Sequence, residues 1–303
     1  MVTIGIRREE KHFEGRSPLT PNHIEQLKTK FNIDTIIQPS SLRTFTDKEY
    51  IQSKATVDEN IWEKTDFIFA IKEIPVELIH PKKIYTFFSH TIKGQPHNMP
   101  MLKKIIESQS TLIDYEKITT NDNRRLIFFG NFAGFAGMID TLWAFGQRLV
   151  IEGITTPFEK VNQTFKYHSL EEAKIKLREI GEIISKRGTG IISRPVIVGF
   201  LGYGNVSKGA QEILDCFPNE EIKPEDLEEF YKSGNFSTKK LYKVVFYEKH
   251  LVKTKDPSNT FELFDYYDHP EKYESQFEKY LQYFTILVNA ISWVLFIPEY
   301  CVH

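Results

Sequence analysis

Cysteine is nearly missing from this chain of 303 residues: Cys216 and Cys301 are the only two, and they stand in no metal-ligand spacing. Neither a disulfide framework nor a zinc site can be built from them, and the composition fits a reducing compartment. No apolar run approaches the roughly 20 residues that span a bilayer, so no membrane partner is expected. An excess of one charge is lacking too. The formal net charge is -2, which supplies no overall basic field for nucleic acid or anionic lipid. Any phosphate or carboxylate must therefore be held by local groups. The opening segment, MVTIGIRREE, enters an apolar strand pattern at once and leaves no room for a signal or transit peptide. What is present, 41% hydrophobic and 26% charged residues, suits a globular protein long enough for two domains. The many Phe and Tyr residues are read as filling for the cores rather than as a binding signal.

The first part alternates short apolar runs with helical stretches. Strands are predicted at Thr3–Ile6, Thr35–Ile37, Phe67–Ile71, Ile84–Phe88 and Thr111–Ile113, and helices at Pro21–Lys30 and Met99–Glu107. Such alternation argues for parallel strands joined by crossover helices. A further strand, Arg125–Phe129, is predicted after the turn-like Asn121–Asn123. Asn131–Val150 has Gly and Ala at small-residue spacing, which fits a tightly packed helix and is read as the connection between domains. Leu170–Ser185 is amphipathic, and Pro195–Leu201 is a continuous apolar strand followed by GYGNVSKGAQEIL. Strands are also expected at Lys243–Tyr247 and Phe284–Ala290, with Pro218–Lys240 and Phe261–Tyr283 as insertions between them. The fold class is thus α/β with two Rossmann-like domains: residues 1–130 for substrate and catalysis, 131–150 connecting, and 151–303 for dinucleotide binding.

In an open parallel sheet, ligands bind beyond the carboxyl ends of the strands. Arg7, Arg8, Lys11, Glu14 and Arg16 follow the first strand. Lys72 and Glu73 follow the third, His90 and Lys93 the fourth, and Glu116 the fifth. Four strand ends deliver cations, carboxylates and one imidazole to a common rim, suited to an anionic substrate and proton transfer. Singly, each of these residues reads as a solvated charge or a hydrogen-bonded structural histidine; only the shared edge sets them apart.

In the second domain Gly202, Gly204 and Gly209 form GxGxxxxG, a longer last gap than the usual GxGxxG. The first glycine permits a tight turn, and the second lets a pyrophosphate approach the backbone at a helix N-terminus. The alternative is a tight turn that binds nothing. Asn205 and Val206 are counted with this cofactor-binding turn. No GK[ST] ending is present, which disfavours a P-loop. An acidic reader of the ribose, usually about 20 residues on, cannot be assigned because Glu220–Glu229 is crowded with acids.

The strings IGIRREEKHFEGRSPLTP, IKEIP, FFSHTIKGQ, LIDYEKI and FGNFAGFAGMID, followed by GYGNVSKGAQEI, HLVK and VNAISW, carry a resemblance. Over roughly residues 2–293 the chain resembles the lysine-ketoglutarate reductase half of aminoadipic semialdehyde synthase. More distantly it is similar to lysine-forming saccharopine dehydrogenase. The resemblance implies a two-domain fold like that of alanine dehydrogenase, with the active site in the cleft. It implies reductive condensation of L-lysine with 2-oxoglutarate to saccharopine, a step of lysine degradation. Lys72 and His90 inherit the roles of acid–base groups. Arg16, Gln95, Arg125 and Phe129 match substrate contacts, Lys11, Glu14, Lys93 and Glu116 match charged groups that tune the site, and Arg124 matches a cofactor contact. NADP is implied by closeness to the animal and plant branch, with NAD as the alternative.

The resemblance also implies association with a glutamate-forming saccharopine dehydrogenase domain, and no nucleic acid or membrane. Two other readings remain open. One is an alanine-dehydrogenase-like oxidoreductase acting on ammonia and a keto acid; the other is an incomplete or regulatory relative without activity. The family pattern stops at Trp293, and residues 294–303 have no counterpart in it. The second domain is accordingly expected to be truncated, with an apolar strand at an unprotected edge and weak or no activity alone. The compartment expected is the cytoplasm, with the mitochondrion of the animal relatives as the alternative.

Overall fold

The structure is a computed structural model and describes residues 2–291. The chain divides into two compact units, with the boundary between Phe128 and Phe129.

The first unit runs β1 (Thr3–Ile6), α1 (Pro21–Phe31), β2 (Asp34–Ile37), α2 (Asp47–Gln52), β3 (Thr56–Val57), α3 (Ile61–Lys64), β4 (Phe67–Phe69), β5 (Ile84–Phe87), α4 (Met99–Glu107) and β6 (Thr111–Asp114). The helices begin and end where local chemistry directs. The Thr20 hydroxyl accepts from His23 N ahead of Pro21, and α1 ends on Asn32 in the left-handed conformation. At α2, Thr46 and Glu49 cap each other reciprocally. The strands form one parallel sheet in the order β3-β2-β1-β4-β5-β6. Ile6 pairs with Ile37 on one side and Phe69 on the other, and Phe87 pairs with Asp114. The carboxyl ends are therefore nearly level, which makes them a single rim. The chain order reverses between β1 and β4, creating the crevice where doubly wound sheets bind ligands. Buried clusters around Ile24, Ile37 and Tyr50, and around Ile68, Tyr85 and Met101, make up the core.

The strand expected at Arg125–Phe129 does not form. Thr119 and Arg125 make one antiparallel bridge around a turn with Asn123 at φ 60°, and pairing goes no further than Leu126 N donating to Ile118 O. Leu126 and Phe128 are exposed; with no neighbouring strand to continue the ladder, backbone extension there gains no hydrogen bonds.

The second unit contains α5 (Gly130–Ile151), α6 (Leu170–Arg187), β7 (Ile197–Leu201), α7 (Asn205–Leu214), β8 (Asn219–Glu221), α8 (Leu227–Ser233), β9 (Leu241–Phe246), β10 (Val252–Thr254), β11 (Tyr273–Ser275) and β12 (Ile286–Asn289). Among the described residues its main sheet is parallel, in the order β12-β7-β9-β8, and β10 and β11 form a separate antiparallel pair. Pro218–Lys240, expected as an insertion, is a crossover that carries β8 and α8. Its strand was hidden because Asn-Glu-Glu is a polar edge strand with no apolar alternation. Phe261–Tyr283 is an excursion whose Tyr266 and Tyr273 form a small core with Val252 of β10. Among the described residues β12 lies at one end of the sheet, and residues 294–303, on which the expectation of a truncated domain rests, lie outside them.

Asn131–Val150, expected to link domains, lies within α5 (Gly130–Ile151), which packs within the second unit. Phe135, Met138, Ile139, Leu142, Phe145 and Leu149 are buried at helical spacing. A β-carbon on Gly134 would lie 2.0 Å from the Val206 carbonyl oxygen, and one on Gly209 would lie 2.2 Å from that of Asn131. Helices α5 and α7 therefore meet backbone to backbone.

Candidate active site

Within the first unit, the sequence after β1 doubles back across the crevice. Glu9 is buried, and its Oε1 accepts from Ile71 N at 2.7 Å while Oε2 accepts from Lys72 N at 3.2 Å. A side chain beyond β1 thus clamps the backbone beyond β4 at the topological switch. Burial pushes the Glu9 carboxyl upward, against the pull of the Ile71 amide and the Arg7 charge. Arg7 is buried beside it, with Nη1 3.8 Å from Glu9 Oε2 and Nη2 3.3 Å from Glu10. Glu9 was absent from the sequence-based site, because in RREEK it looks like one more solvated charge. Its position just past the first strand, where the sheet order reverses, is the signal that could have singled it out.

Lys72, held at its backbone by Glu9, precedes Glu73. His90 Nδ1 lies 2.6 Å from Glu73 Oε1, and Lys11 Nζ lies 3.7 Å from Oε2. Burial opposes the Glu73 charge, but hydrogen bonds from its own backbone and from His90, with the charges of His90 and Lys11, carry the carboxyl below its ordinary range. An ionised carboxylate only accepts hydrogen bonds, so Nδ1 must carry the proton and Nε2 is the nitrogen available for exchange. His90 adopts φ 53°, unusual for a residue with a side chain, and its ring stacks on Phe88. The turn is pinned from β6: Asp114 accepts from the Ser89 backbone and hydroxyl, and Ser89 is fully buried.

Glu14 and Arg16 form a forked pair: Arg16 Nε donates to Oε1 at 2.8 Å and Nη2 to Oε2 at 2.5 Å. Burial of Glu14 is outweighed by Arg16 and the Lys72 charge, which together lower its carboxyl. At the β6 end, Arg125 Nη1 lies 3.2 Å from the buried Glu116. Gln95 Oε1 accepts from Asn98, Lys93 is exposed, and Arg124 is paired within its own turn to Asp122. The structure thus links Lys11, Glu73 and His90, while Lys72 is the chain neighbour of Glu73 and its charge acts on Glu14 of the Glu14–Arg16 pair. Lys93 and Arg124 are not drawn into that cluster. Phe129 opens the second unit, immediately before α5.

In the second unit Gly202 has φ 88° and donates its N–H to Phe246 O at 3.0 Å, which ties the turn after β7 to the end of β9. Gly204 caps α7, and a β-carbon there would meet nothing within 4 Å. Asn205 and Val206 begin the helix, where the first amides have no partner within it and favour an anion. An open cradle beside such amides fits a dinucleotide pyrophosphate. Gly209 is different: although grouped with the cofactor glycines in the sequence reading, its free side is filled by Asn131 backbone, so it serves helix packing. The acids at 220 and 221 end β8, which pairs with β9 and not with β7; β9, which adjoins β7, ends at Phe246 and is followed directly by Tyr247 and Glu248. A cavity of about 610 Å³ opens at the ends of β8 and β9, lined by Glu221, Glu225, Tyr247 and His250 among others. No described helix is long and apolar enough to cross a membrane.

Comparison with known proteins agrees with this architecture. Residues 5–136 match the family model for the alanine dehydrogenase/PNT N-terminal domain. The chain is 38% identical to an alpha-aminoadipic semialdehyde synthase of Arabidopsis thaliana over 96% of its own length and 29% of that protein. It is 37% identical to the mitochondrial alpha-aminoadipic semialdehyde synthase of Rattus norvegicus, again over 96% of this chain and 31% of the relative. The chain thus spans under a third of the length of these relatives. A saccharopine dehydrogenase [NAD(+), L-lysine-forming] of Candida albicans is 30% identical over 78% of this chain and 64% of that protein. Among solved structures, an L-alanine dehydrogenase superposes with TM-score 0.51 at 17% identity, covering 81% of this chain and 61% of that one, a likeness of fold. The resemblance drawn from the sequence motifs therefore holds: the chain is similar to alpha-aminoadipic semialdehyde synthases and lysine-forming saccharopine dehydrogenases, and its residues 5–136 match the alanine dehydrogenase/PNT N-terminal domain.

Proposed function

We propose that this chain is a lysine-ketoglutarate reductase module, which joins the ε-amine of L-lysine to the keto carbon of 2-oxoglutarate and reduces the product to saccharopine. The observation that carries the reading is the Glu73–His90 pair at the strand ends of the first sheet, with Lys72 next to Glu73 in the chain and held at its backbone by Glu9, in a chain similar to lysine-forming saccharopine dehydrogenases. A nicotinamide dinucleotide, when bound, supplies the hydride that reduces the imine carbon. The residues of the chain manage protons and charge. Lys72 takes a proton from the incoming ammonium so that the neutral amine can attack, and His90 Nε2 protonates the hydroxyl that leaves as water when the carbinolamine becomes the imine. Glu73 keeps the imidazole oriented throughout. Arg16 and Arg125 are offered to substrate carboxylates in the forked geometry that guanidinium allows, with Gln95 as a neutral hydrogen-bonding partner. Glu14 and Glu116 hold those arginines in place before substrate arrives. Saccharopine would then pass to a glutamate-forming saccharopine dehydrogenase activity, on the same longer polypeptide or on another.

The test is oxidation of reduced nicotinamide dinucleotide by the purified chain with L-lysine and 2-oxoglutarate, with saccharopine identified as product. Oxidation that requires ammonia and a simple keto acid instead would favour the alanine-dehydrogenase-like reading. No oxidation with either substrate set, by folded protein, would leave the chain a non-catalytic relative.

A further inference from the structure

The carboxyl end of β9 holds a feature that the sequence reading could not place. Tyr203, between the two glycines of the turn, stacks on Tyr247, with ring centroids 4.8 Å apart. Its hydroxyl donates to Glu248 Oε1 at 3.3 Å, and the Tyr267 hydroxyl donates to the same oxygen at 2.9 Å. The Gly202 N–H bonded to Phe246 O fixes the register of these partners. Glu248 therefore stands beside the glycine turn, two residues beyond the end of the strand adjoining β7. In dinucleotide-binding sheets that is where a carboxylate accepts from the ribose hydroxyls of the adenosine half.

We propose that Glu248 reads the 2′-hydroxyl of the adenosine ribose, so that this chain selects NAD(H) over NADP(H). The inference rests on the dinucleotide reading of the glycine turn given above. Both tyrosines address Oε1, so Oε2 remains for the ribose. A 2′-phosphate would bring close to two negative charges against that carboxylate. The phosphate would also need a cation in reach. The neighbouring Lys249 has its ammonium 3.5 Å from Glu225, already matched to a carboxylate. His250 is likewise directed to Glu225, at 3.0 Å, and burial lowers its tendency to carry charge. The Glu248 charge in turn raises the Tyr203 phenol, which keeps that hydroxyl protonated and donating. Closeness to the animal and plant branch implied NADP; a carboxylate in this position favours NAD(H) instead.

The experiment is binding of NADH and NADPH to the full chain by fluorescence titration and calorimetry, without substrates. Wild-type protein is expected to bind NADH at least about tenfold more tightly than NADPH, a difference of about 1.4 kcal/mol. Glu248→Gln should bring the two affinities together, and Glu248→Arg should reverse their order, with thermal melts confirming that each variant is folded. Equal or tighter NADPH binding by wild-type protein would overturn the inference while leaving the glycine turn a dinucleotide site. A preference for NADH that survives Glu248→Gln would remove Glu248 as its source. Binding of neither nucleotide would overturn both the inference and the reading on which it rests.

Discussion

Both units use parallel strands joined by crossover helices, yet they bury different kinds of polar group. The first hides whole ionic side chains at its sheet edge: Arg7, Glu9, Glu14 and Glu116 are all less than a tenth exposed. The second buries Thr156, Thr189, Ser207 and His250, with no carboxylate or guanidinium among its described buried residues. A buried charge is costly unless it is paired, and its environment then shifts its proton affinity. In the proposed function the first unit is accordingly the one that moves protons and holds carboxylates. The second presents backbone amides at a glycine turn, a surface that binds anions without buried ions of its own. The lesson is that similar sheets can present quite different surfaces, ionic side chains in one and backbone amides in the other.

The largest effect should come from breaking the helix contact of the second unit. In Gly134→Val the added carbons meet backbone, which no rotamer change can relieve; the cost should reach or exceed the roughly 3 kcal/mol typical of severe overpacking. Hydrogen exchange should show α5 and α7 losing protection while the strands of the first unit keep theirs. Wild-type protection of α7 would mean that the helices can separate freely.

Next in size, His90→Ala should lower turnover about 10²–10⁴-fold, the usual loss for one acid–base group, with an unchanged melting curve. Folded variant protein turning over at the wild-type rate would remove His90 from the chemistry. A paired test then sharpens the contrast between the two glycines of the turn and helix. Gly204→Val has open space and an extended backbone, so it should abolish nucleotide binding in calorimetry with little change in melting temperature. Gly209→Val should destabilise the fold first, because its space is filled. If Gly204→Val binds nucleotide normally, the turn is structural only.

The smallest effect concerns acid. The Glu14 and Glu73 carboxyls are lowered in the folded state. Their stabilisation is present above the unfolded carboxylate range, near pH ~4.3, and is lost as pH falls through their folded values. Glu9 is raised and acts in the opposite sense, favouring the fold when protonated and losing that contribution as pH rises through its folded value. Glu14→Gln should therefore flatten the fall in melting temperature on acidification. An unaltered pH profile would show that the Glu14–Arg16 pair contributes nothing net.

Much of this was legible beforehand where local rules act. The strand Thr3–Ile6 and the helix Met99–Glu107 occur as read, because apolar periodicity and proline placement are properties of neighbouring residues. The rim that gathers Lys72, Glu73 and His90 was also legible, since strand ends in a parallel sheet share an edge. Glu9 was not, because its value comes from reaching the backbone of residues far along the chain. Arg125–Phe129 failed as a strand for a related reason: extended propensity needs a neighbour to pair with. Asn219–Glu221 succeeded as one without any apolar signal, because Leu241 and its neighbours supply the ladder.

The sequence by itself determined the two parallel α/β units, the charged rim, the glycine turn and the resemblance, all of which follow from local patterning or from motifs in order. Only the tertiary structure decided which strand lies beside that turn. Pairing of β9 with β7, and of β8 with β9, brings Glu248 to Tyr203 and removes the acids of 220 and 221 from that place. Strand order is set by long-range burial and hydrogen bonding across the whole sheet, and no window of neighbouring residues encodes it.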